Sequence, residues 1–438
     1  MTTIQVREST TVTTTSGVAP ALAAALSLLV GGELPVRLSA WDGSTAGQDD
    51  LPHVVLRSPR ALRRLLHHPG ELGAAQAYVT GELDVEGDLD AALTHVWRVA
   101  RERRLRGIRP TPASLAALLK VARDTGAIGR PLPAPTTQAA LRGRRHTLRR
   151  DREAIHHHYD LSNEFYELVL DPHLAYSCAY WTSDEPGYTL EDAQRDKLDL
   201  VCRKLGLEPG MRLLDVGCGW GSMSLYAAEH FGAHVTAVTI AEEQREFVDK
   251  RIRERGLGDR VQVRLQDYRD VPDAGFDAVV SLEMGEHVGQ RNYPTYARML
   301  HDAARTGGRL LVQQMSRPGR QPGGGPFIES FIAPDMHMRP VGETVALLED
   351  SGLEVRDVQA LREHYVRTVH AWLQTLEANH HRVVDLVGEE MARVWRLYLV
   401  GGAMAFRDGR MGVDQVLAVR PSRHGSSGIA GRRPAAWS

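Results

Sequence analysis

From about residue 195 to about residue 420 the chain alternates β-branched apolar runs with helical stretches, and this alternation restricts the fold more than any other feature. The runs are "RLLDVG", "HVTAVTI", "VQVRLQ", "FDAVVSLE", "RLLVQQM", "VRDVQA" and "QVLAVR". Helices between them are expected to begin near Met223, Glu242, Tyr293 and Val341. Strands separated by helices pair in parallel and are covered on both faces, so a doubly wound parallel sheet is predicted. Two stretches break the pattern: "RPGRQPGGGPFIESFIAPDMHM" and the helical region at about 366–408. Near the carboxyl ends of strands, they are expected to form lids over a crevice.

The first strand runs into "LLDVGCGWGS" and then a helix. Gly217, Gly219 and Gly221 allow a tight turn and close approach of backbone to a ligand, with Cys218 between the first two. The spacing G-x-G-x-G is neither the G-x-G-x-x-G of a dinucleotide site nor a phosphate loop, since no G-K-[ST] follows. Asp215, at the strand end, suits a cationic amino-acid group. Together these residues point to S-adenosylmethionine. The second strand ends without a carboxylate for a ribose, and Thr239, Ile240 and Gln244 stand there instead. After the third strand, Gln266 and Asp267 are placed to read an adenine edge.

The net charge of −2 hides a polarity. Residues 98–152 carry fifteen Lys/Arg against three acids, about +12, which leaves about −14 for the remainder. Such a block suggests a polyanionic partner, either nucleic acid or an anionic membrane face. The three cysteines fit a reduced compartment without a disulfide framework. "MTTIQVRESTTVTTTSG" has no apolar signal region, and "VAPALAAALSLLVGG" is too short to span a bilayer. A cytoplasmic protein, peripheral on the inner membrane face, is expected. Residues 1–17 are expected to be a disordered tail and 18–125 a small α+β domain. In that domain Ser58 caps a helix opened by Pro59, and "PVRLSAWDG", "HVVLRS" and "AYVTGELDVEGDL" are strand-like. A basic linker at 126–150, a catalytic domain at 151–422 and a disordered tail at 423–438 complete the expected organisation. "HHH" at 156–158 is not expected to hold metal, because consecutive helical residues diverge and no partner ligands accompany them.

"SLEMGEHVG" at 281–289 places Glu283 and Glu286 three residues apart at the end of a buried strand. Both carboxylates can face the crevice, and proximity would then raise one pKa. Alternatively Glu283 points away and pairs with a local Arg.

The series "HHHYDLSNEFYELVLDPHLAYSCAYW", "LDVGCGWGS", "VTIAEEQ", "LQDYRD" and "EHVGQRNYPTY", in this order, resembles the cyclopropane-fatty-acyl-phospholipid synthase family. That family includes the mycolic acid cyclopropane synthases and related fatty acid methyltransferases, and the resemblance covers about residues 150–420. It implies a class I S-adenosylmethionine methyltransferase fold: a Rossmann-like seven-stranded sheet with helical lid insertions, here preceded by the small α+β domain. It also implies methylation of a cis double bond in a lipid acyl chain through a carbocation, with bicarbonate as the base. By the same resemblance Tyr176 and Ser177 face the cofactor, while Cys178, Glu286 and Tyr365 surround the bicarbonate. Met315 stands for the family's branched residue. Gln313 replaces the family's His and cannot carry its charge. Gly402 stands where many relatives have Cys. Glu283 is extra, and we expect it to assist or replace bicarbonate as proton acceptor.

The expected function is therefore addition of a methyl-derived carbon to a phospholipid acyl chain, giving a mid-chain methylene branch. The alternatives are cyclopropane formation, a catalytically degenerate lipid-binding protein, and a nucleic-acid methyltransferase using the basic block. The last lacks a "[DN]PP[YFW]" base-flipping motif. The expected partners are a phospholipid surface, a reductase for the methylene product and a second copy of the chain, with no nucleic acid.

Overall fold

The computed structural model describes residues 16–105, 111–139, 150, 161–319, 323–429, 431–432 and 434–437. It divides into two compact units, Met1–Thr136 and Thr137–Ser438. Residues 1–15, much of the basic segment (Arg106, Arg109, Arg142, Arg144, Arg145, Arg149 and Arg152) and the "HHH" run lie outside the described residues.

The first unit has a four-stranded sheet in the order β2-β1-β3-β4: β1 (Arg37–Ala40), β2 (Thr45–Ala46), β3 (His53–Leu56) and β4 (Leu83–Glu86). Five helices accompany it: α1 (Val18–Val30), α2 (Pro59–His67), α3 (Glu71–Val79), α4 (Leu89–Glu102) and α5 (Pro112–Asp124). As the sequence suggested, Ser58 caps α2, its side chain accepting from the Arg60 N–H, with Pro59 in the first turn. "AYVTGELDVEGDL" is only partly strand: Ala77–Val79 end α3, where Ala77 and Val79 are buried, and the strand starts at Leu83. The expected linker also begins later than proposed. Arg63 Nε donates to Ala127 O at 3.0 Å and Arg64 Nη1 to Pro133 O at 3.1 Å, tying this stretch to α2.

In the second unit the seven strands are β5 (Arg212–Val216), β6 (His234–Thr239), β7 (Val261–Leu265), β8 (Phe276–Leu282), β9 (Ala304–Ser316), β10 (Glu354–Ala360) and β11 (Gly412–Val419). Their order is β10-β11-β9-β8-β5-β6-β7. Its helices are α6 (Asn163–Val169), α7 (Leu190–Leu205), α8 (Ser222–Phe231), α9 (Glu242–Glu254), α10 (Tyr293–Ala303), α11 (Pro326–Phe331), α12 (Val341–Asp350), α13 (Arg362–Ala378) and α14 (His380–Arg407). The sheet is mixed rather than wholly parallel: β11 runs antiparallel to both β9 and β10. The long α13–α14 pair between β10 and β11 returns the chain to the end of the sheet where β10 finished. β11 therefore enters from there.

Adjacent strand residues face opposite layers, as period-two geometry requires. Leu213 packs with Leu198, Val201 and Leu205 of α7, Leu225 of α8 and Val248 of α9. Leu214 joins Tyr293, Tyr296 and Leu300 of α10 and Leu348 of α12. The expectation of a disordered tail from 423 fails at Trp437, which is buried in the α7–α8 cluster. Arg150, in the basic segment, forms an ion pair with Asp335 at 2.7 Å inside this unit. No helix among the described residues is long and apolar enough to cross a membrane.

In the first unit Arg64 Nε meets Glu82 Oε2 at 2.6 Å, with both side chains buried. Removing one partner leaves an uncompensated charge in the interior. Glu82→Ala is therefore expected to cost about 3 kcal/mol of that unit's stability, measured by urea denaturation.

Candidate active site

The turn after β5 is held by Val238 O of β6, which accepts from the N–H groups of Gly217 at 3.0 Å and Cys218 at 3.1 Å. Gly217 has φ 79°, and a Cβ built on it would lie 2.7 Å from Met284 Cγ. The turn opens on a cleft of about 1090 Å³. Tyr176, Ser177, Asp215, Gly217, Cys218, Gly219, Thr239, Ile240, Gln244, Gln266 and Asp267 all line it. Of the cofactor residues read from the sequence only Gly221 does not. It has φ 79° as the cap of α8, and a side chain there would press on Val248 at 3.0 Å, so it serves the close packing of this turn on α9.

Each polar wall of this cleft is braced. Asp215 accepts from Ser224 Oγ at 2.6 Å, and burial pushes its carboxyl up to about 6. Thr239 Oγ1 donates to Gln244 Oε1 at 2.8 Å, and Asp267 pairs with Arg269 at 2.7 Å. A shallow glycine cradle beside a carboxylate and an amide-rich far wall fits an adenosyl group bearing an amino acid. Trp220, Met284 and His287 also line the cleft. Trp220 also packs, being buried against Tyr166.

The segment from Ala175 to Trp181 belongs to no strand or helix, and side chains satisfy most of its backbone groups. Asp171 accepts from Ala175 N–H, while Gln194 of α7 donates to Ala175 O and Ser177 O. Thr368 and His364 of α13 accept from Ala179 N–H and Trp181 N–H. Lys197 of α7, wholly buried, donates to Ser177 Oγ at 2.9 Å, and burial lowers its pKa. The segment is thereby fixed along the cleft, with Cys178 N–H pointing to the end of β8.

Glu283 receives that N–H. Its Oε1 accepts from Cys178 N at 2.7 Å and Gln313 Nε2 at 2.8 Å, and its Oε2 accepts from Tyr365 OH at 2.6 Å. It lines the cleft and does not pair with a surface Arg. Its φ of 52° is unusual for a residue with a side chain and turns the carboxylate inward. The backbone is pinned by Glu283 N–H donating to Gln313 O at 2.6 Å. Burial raises its pKa, while the three hydrogen bonds and the Lys197 charge oppose that rise.

Four of the five proposed catalytic residues thus meet: Cys178, Glu283, Gln313 and Tyr365. Glu286 does not join them. It is fully buried in the turn after β8, and neither carboxyl oxygen has a hydrogen-bond partner. Burial, and then the neighbouring Glu283 charge, push it up to about 8. The donors that the resemblance assigns to bicarbonate are bonded to Glu283, so a bicarbonate does not fit among them. The Cys178 thiol is pushed well up by burial and is no thiolate nucleophile; its backbone does the binding. Among the described residues no group of side chains could hold a metal ion.

The family model for mycolic acid cyclopropane synthetase matches residues 146–416. The chain is 39% identical over 408 residues to a protein named probable fatty acid methyltransferase Rv3720 of Mycobacterium tuberculosis, covering 91% of this chain and 94% of that one. It is 31% identical over 406 residues to the tuberculostearic acid methyltransferase UfaA1 of the same organism, covering 88% of each. The solved structure of mycolic acid cyclopropane synthase CmaA1 complexed with SAH and CTAB superposes with a TM-score of 0.56 at 31% identity. That likeness covers 61% of this chain and 97% of that chain.

Gly217→Ala is expected to weaken S-adenosylhomocysteine binding about tenfold or more by calorimetry, since its Cβ would need both a strained backbone and a displaced Met284. The second prediction concerns pH. Glu286 titrates near 8 in the folded chain against an ordinary 4.5, so between these values the folded state holds the extra proton. The stability this confers is complete below the lower value and is lost as pH rises through the upper one. Glu286→Gln has no such loss, so its melting temperature should gain on the parent's by on the order of 5 °C from about pH 5 to about pH 8.

Proposed function

The chain belongs to the mycolic acid cyclopropane synthetase family of S-adenosylmethionine-dependent methyltransferases, and from that premise we propose that it adds a methyl-derived carbon to the cis double bond of a phospholipid acyl chain, giving a mid-chain methylene branch. When bound, the cofactor would supply an electrophilic methyl group, its sulfur–methyl bond breaking to release S-adenosylhomocysteine as the alkene's π electrons form the new C–C bond and leave a cation on the neighbouring chain carbon. Asp215, the glycine turn and Ser177 would hold the cofactor's amino-acid end, and Gln266 and Asp267 its base.

What remains for the protein is to remove one proton. The observation that carries the reading is the Glu283 carboxylate, held by Cys178 N–H, Gln313 and Tyr365 beside the glycine turn. Burial makes it more basic than a solvated carboxylate, which suits a proton acceptor. Tyr176 lines the cleft and is backed by Trp372, with ring centroids 5.3 Å apart, and by Trp395 at 5.8 Å. Aromatic faces attract a cation and exclude water that would quench it. A proton taken directly from the new methyl closes a cyclopropane. A hydride shift first, then loss of the proton, gives the exocyclic methylene. Either course ends with one proton delivered to Glu283, which is held by the donors that the resemblance assigns to bicarbonate. The name of UfaA1 agrees with a branched product, which a reductase would then saturate.

A phospholipid surface as the substrate's source is supported by the first unit. Six of the eight exposed large apolar side chains among the described residues lie in it, including Trp97, Leu115, Leu119 and Ile128. A peripheral position on the inner membrane face follows from the same reading.

The purified chain would be incubated with S-adenosylmethionine and vesicles of a cis-monounsaturated phospholipid. Mass spectrometry before and after catalytic hydrogenation is expected to show an exocyclic methylene; a product that resists mild hydrogenation is a ring and refutes the branch. Glu283→Gln is expected to lower turnover by about 10²–10⁴ while keeping S-adenosylhomocysteine affinity. Unchanged turnover would remove Glu283 as the base.

A further inference from the structure

Helix α7 places Gln194, Lys197, Val201 and Lys204 on one face at spacings of three and four, and all four are completely buried. Lys197 reaches the cofactor side. Lys204 reaches toward the β10 edge of the sheet, where strand register aligns three glutamines: Gln359 of β10 opposes Gln415 of β11, which opposes Gln313 of β9. Lys204 Nζ donates to Gln415 Oε1 at 2.8 Å and to Gln359 Oε1. Gln415 Nε2 donates to Gln313 Oε1 at 2.9 Å, and Gln313 Nε2 donates to Glu283 Oε1 at 2.8 Å.

An ammonium group has donors and no acceptor, so the side-chain atom that meets it must be an oxygen. This fixes the Gln415 amide with its NH₂ toward Gln313. Gln313 must then answer with its oxygen, and its NH₂ is left to face Glu283. The direction of every bond in the chain agrees with the charge at its far end, and at the near end Cys178 O, which also accepts from Gln313 Nε2 at 3.3 Å, favours the same orientation. With an apolar residue at 204, both amides could turn over, and Gln313 would present a lone pair to a carboxylate. That arrangement is tolerable only when Glu283 is protonated and unfit to accept a proton.

We infer that Lys204, Gln415 and Gln313 form a one-way hydrogen-bond relay that orients the Gln313 amide toward Glu283, making Lys204 and Gln415 positioning residues for the reaction. This rests on the reading of Glu283 as the proton acceptor. Lys204 lies 3.5 Å from Asp357 of β10, and Arg309 of β9 donates to its backbone oxygen at 3.2 Å. Glu283 is faced by Tyr365 of α13, Lys197 of α7, Cys178 and Glu286. The relay therefore adds to these fields a dipole that none of them supplies, arriving through two strands.

The test is a pH titration of the Glu283 carboxyl stretching band by infrared difference spectroscopy on the full chain, with Glu283→Gln as the blank. Lys204→Met and Gln415→Met keep side-chain volume, and the second keeps the lysine charge. Both are expected to raise the protonation midpoint of Glu283 by about one pH unit, the loss of one hydrogen bond to a charged group. An unmoved midpoint in Gln415→Met overturns the relay, even where Lys204→Met shifts it, because a shift confined to the lysine variant is a direct charge effect. The titration needs no turnover. Should Glu283→Gln remain fully active, the base assignment fails while the relay is still judged by its own midpoint.

Discussion

A carboxylate held in a dry interior is the constraint around which the second unit is arranged. Taking an ionised group from water costs several kcal/mol unless donors replace the lost hydration. Glu283 finds its donors in three places far apart in sequence: Cys178 N–H, Gln313 and Tyr365. Each fixes something larger. Cys178 anchors the 175–181 segment along the cleft, Gln313 ties the ends of β8 and β9, and Tyr365 secures the start of the α13–α14 insertion. The left-handed backbone at Glu283 is the local cost of aiming the carboxylate inward.

Helix α7 organises the same region from outside the sheet. Its buried polar face serves as a row of donors. Gln194 satisfies two carbonyls of the 175–181 segment, Lys197 holds Ser177, and Lys204 begins the glutamine chain. Burying two lysines and a glutamine on one helix face is costly unless each has a partner, and each finds one here. Cofactor side and proton-accepting side are thus braced by one rigid element.

Much of this was legible in the chain. The seven strand segments stand where the apolar runs put them, and α9, α10 and α12 begin at Glu242, Tyr293 and Val341 as expected. The glycine turn could be read because its residue types are dictated by local backbone geometry. Glu283 attracted notice through its spacing from Glu286, yet the roles of the two could not be assigned from spacing. Both are next to a strand end, and the direction of each side chain depends on a φ angle that no motif encodes. Lys197 and Lys204 carried a signal that went unused: lysines on the apolar face of an amphipathic helix are anomalous.

By itself the sequence determined the alternation of elements, the glycine turn and the family, because these rest on local periodicity and on residues whose conformational freedom is intrinsic. Only the tertiary structure decided that β11 runs against its neighbours, that Trp437 belongs to the core, and that Glu283 rather than Glu286 collects the donors. Those outcomes depend on which distant groups arrive at one point. Hydrogen-bond satisfaction in a buried site is a property of that meeting and not of any segment that contributes to it.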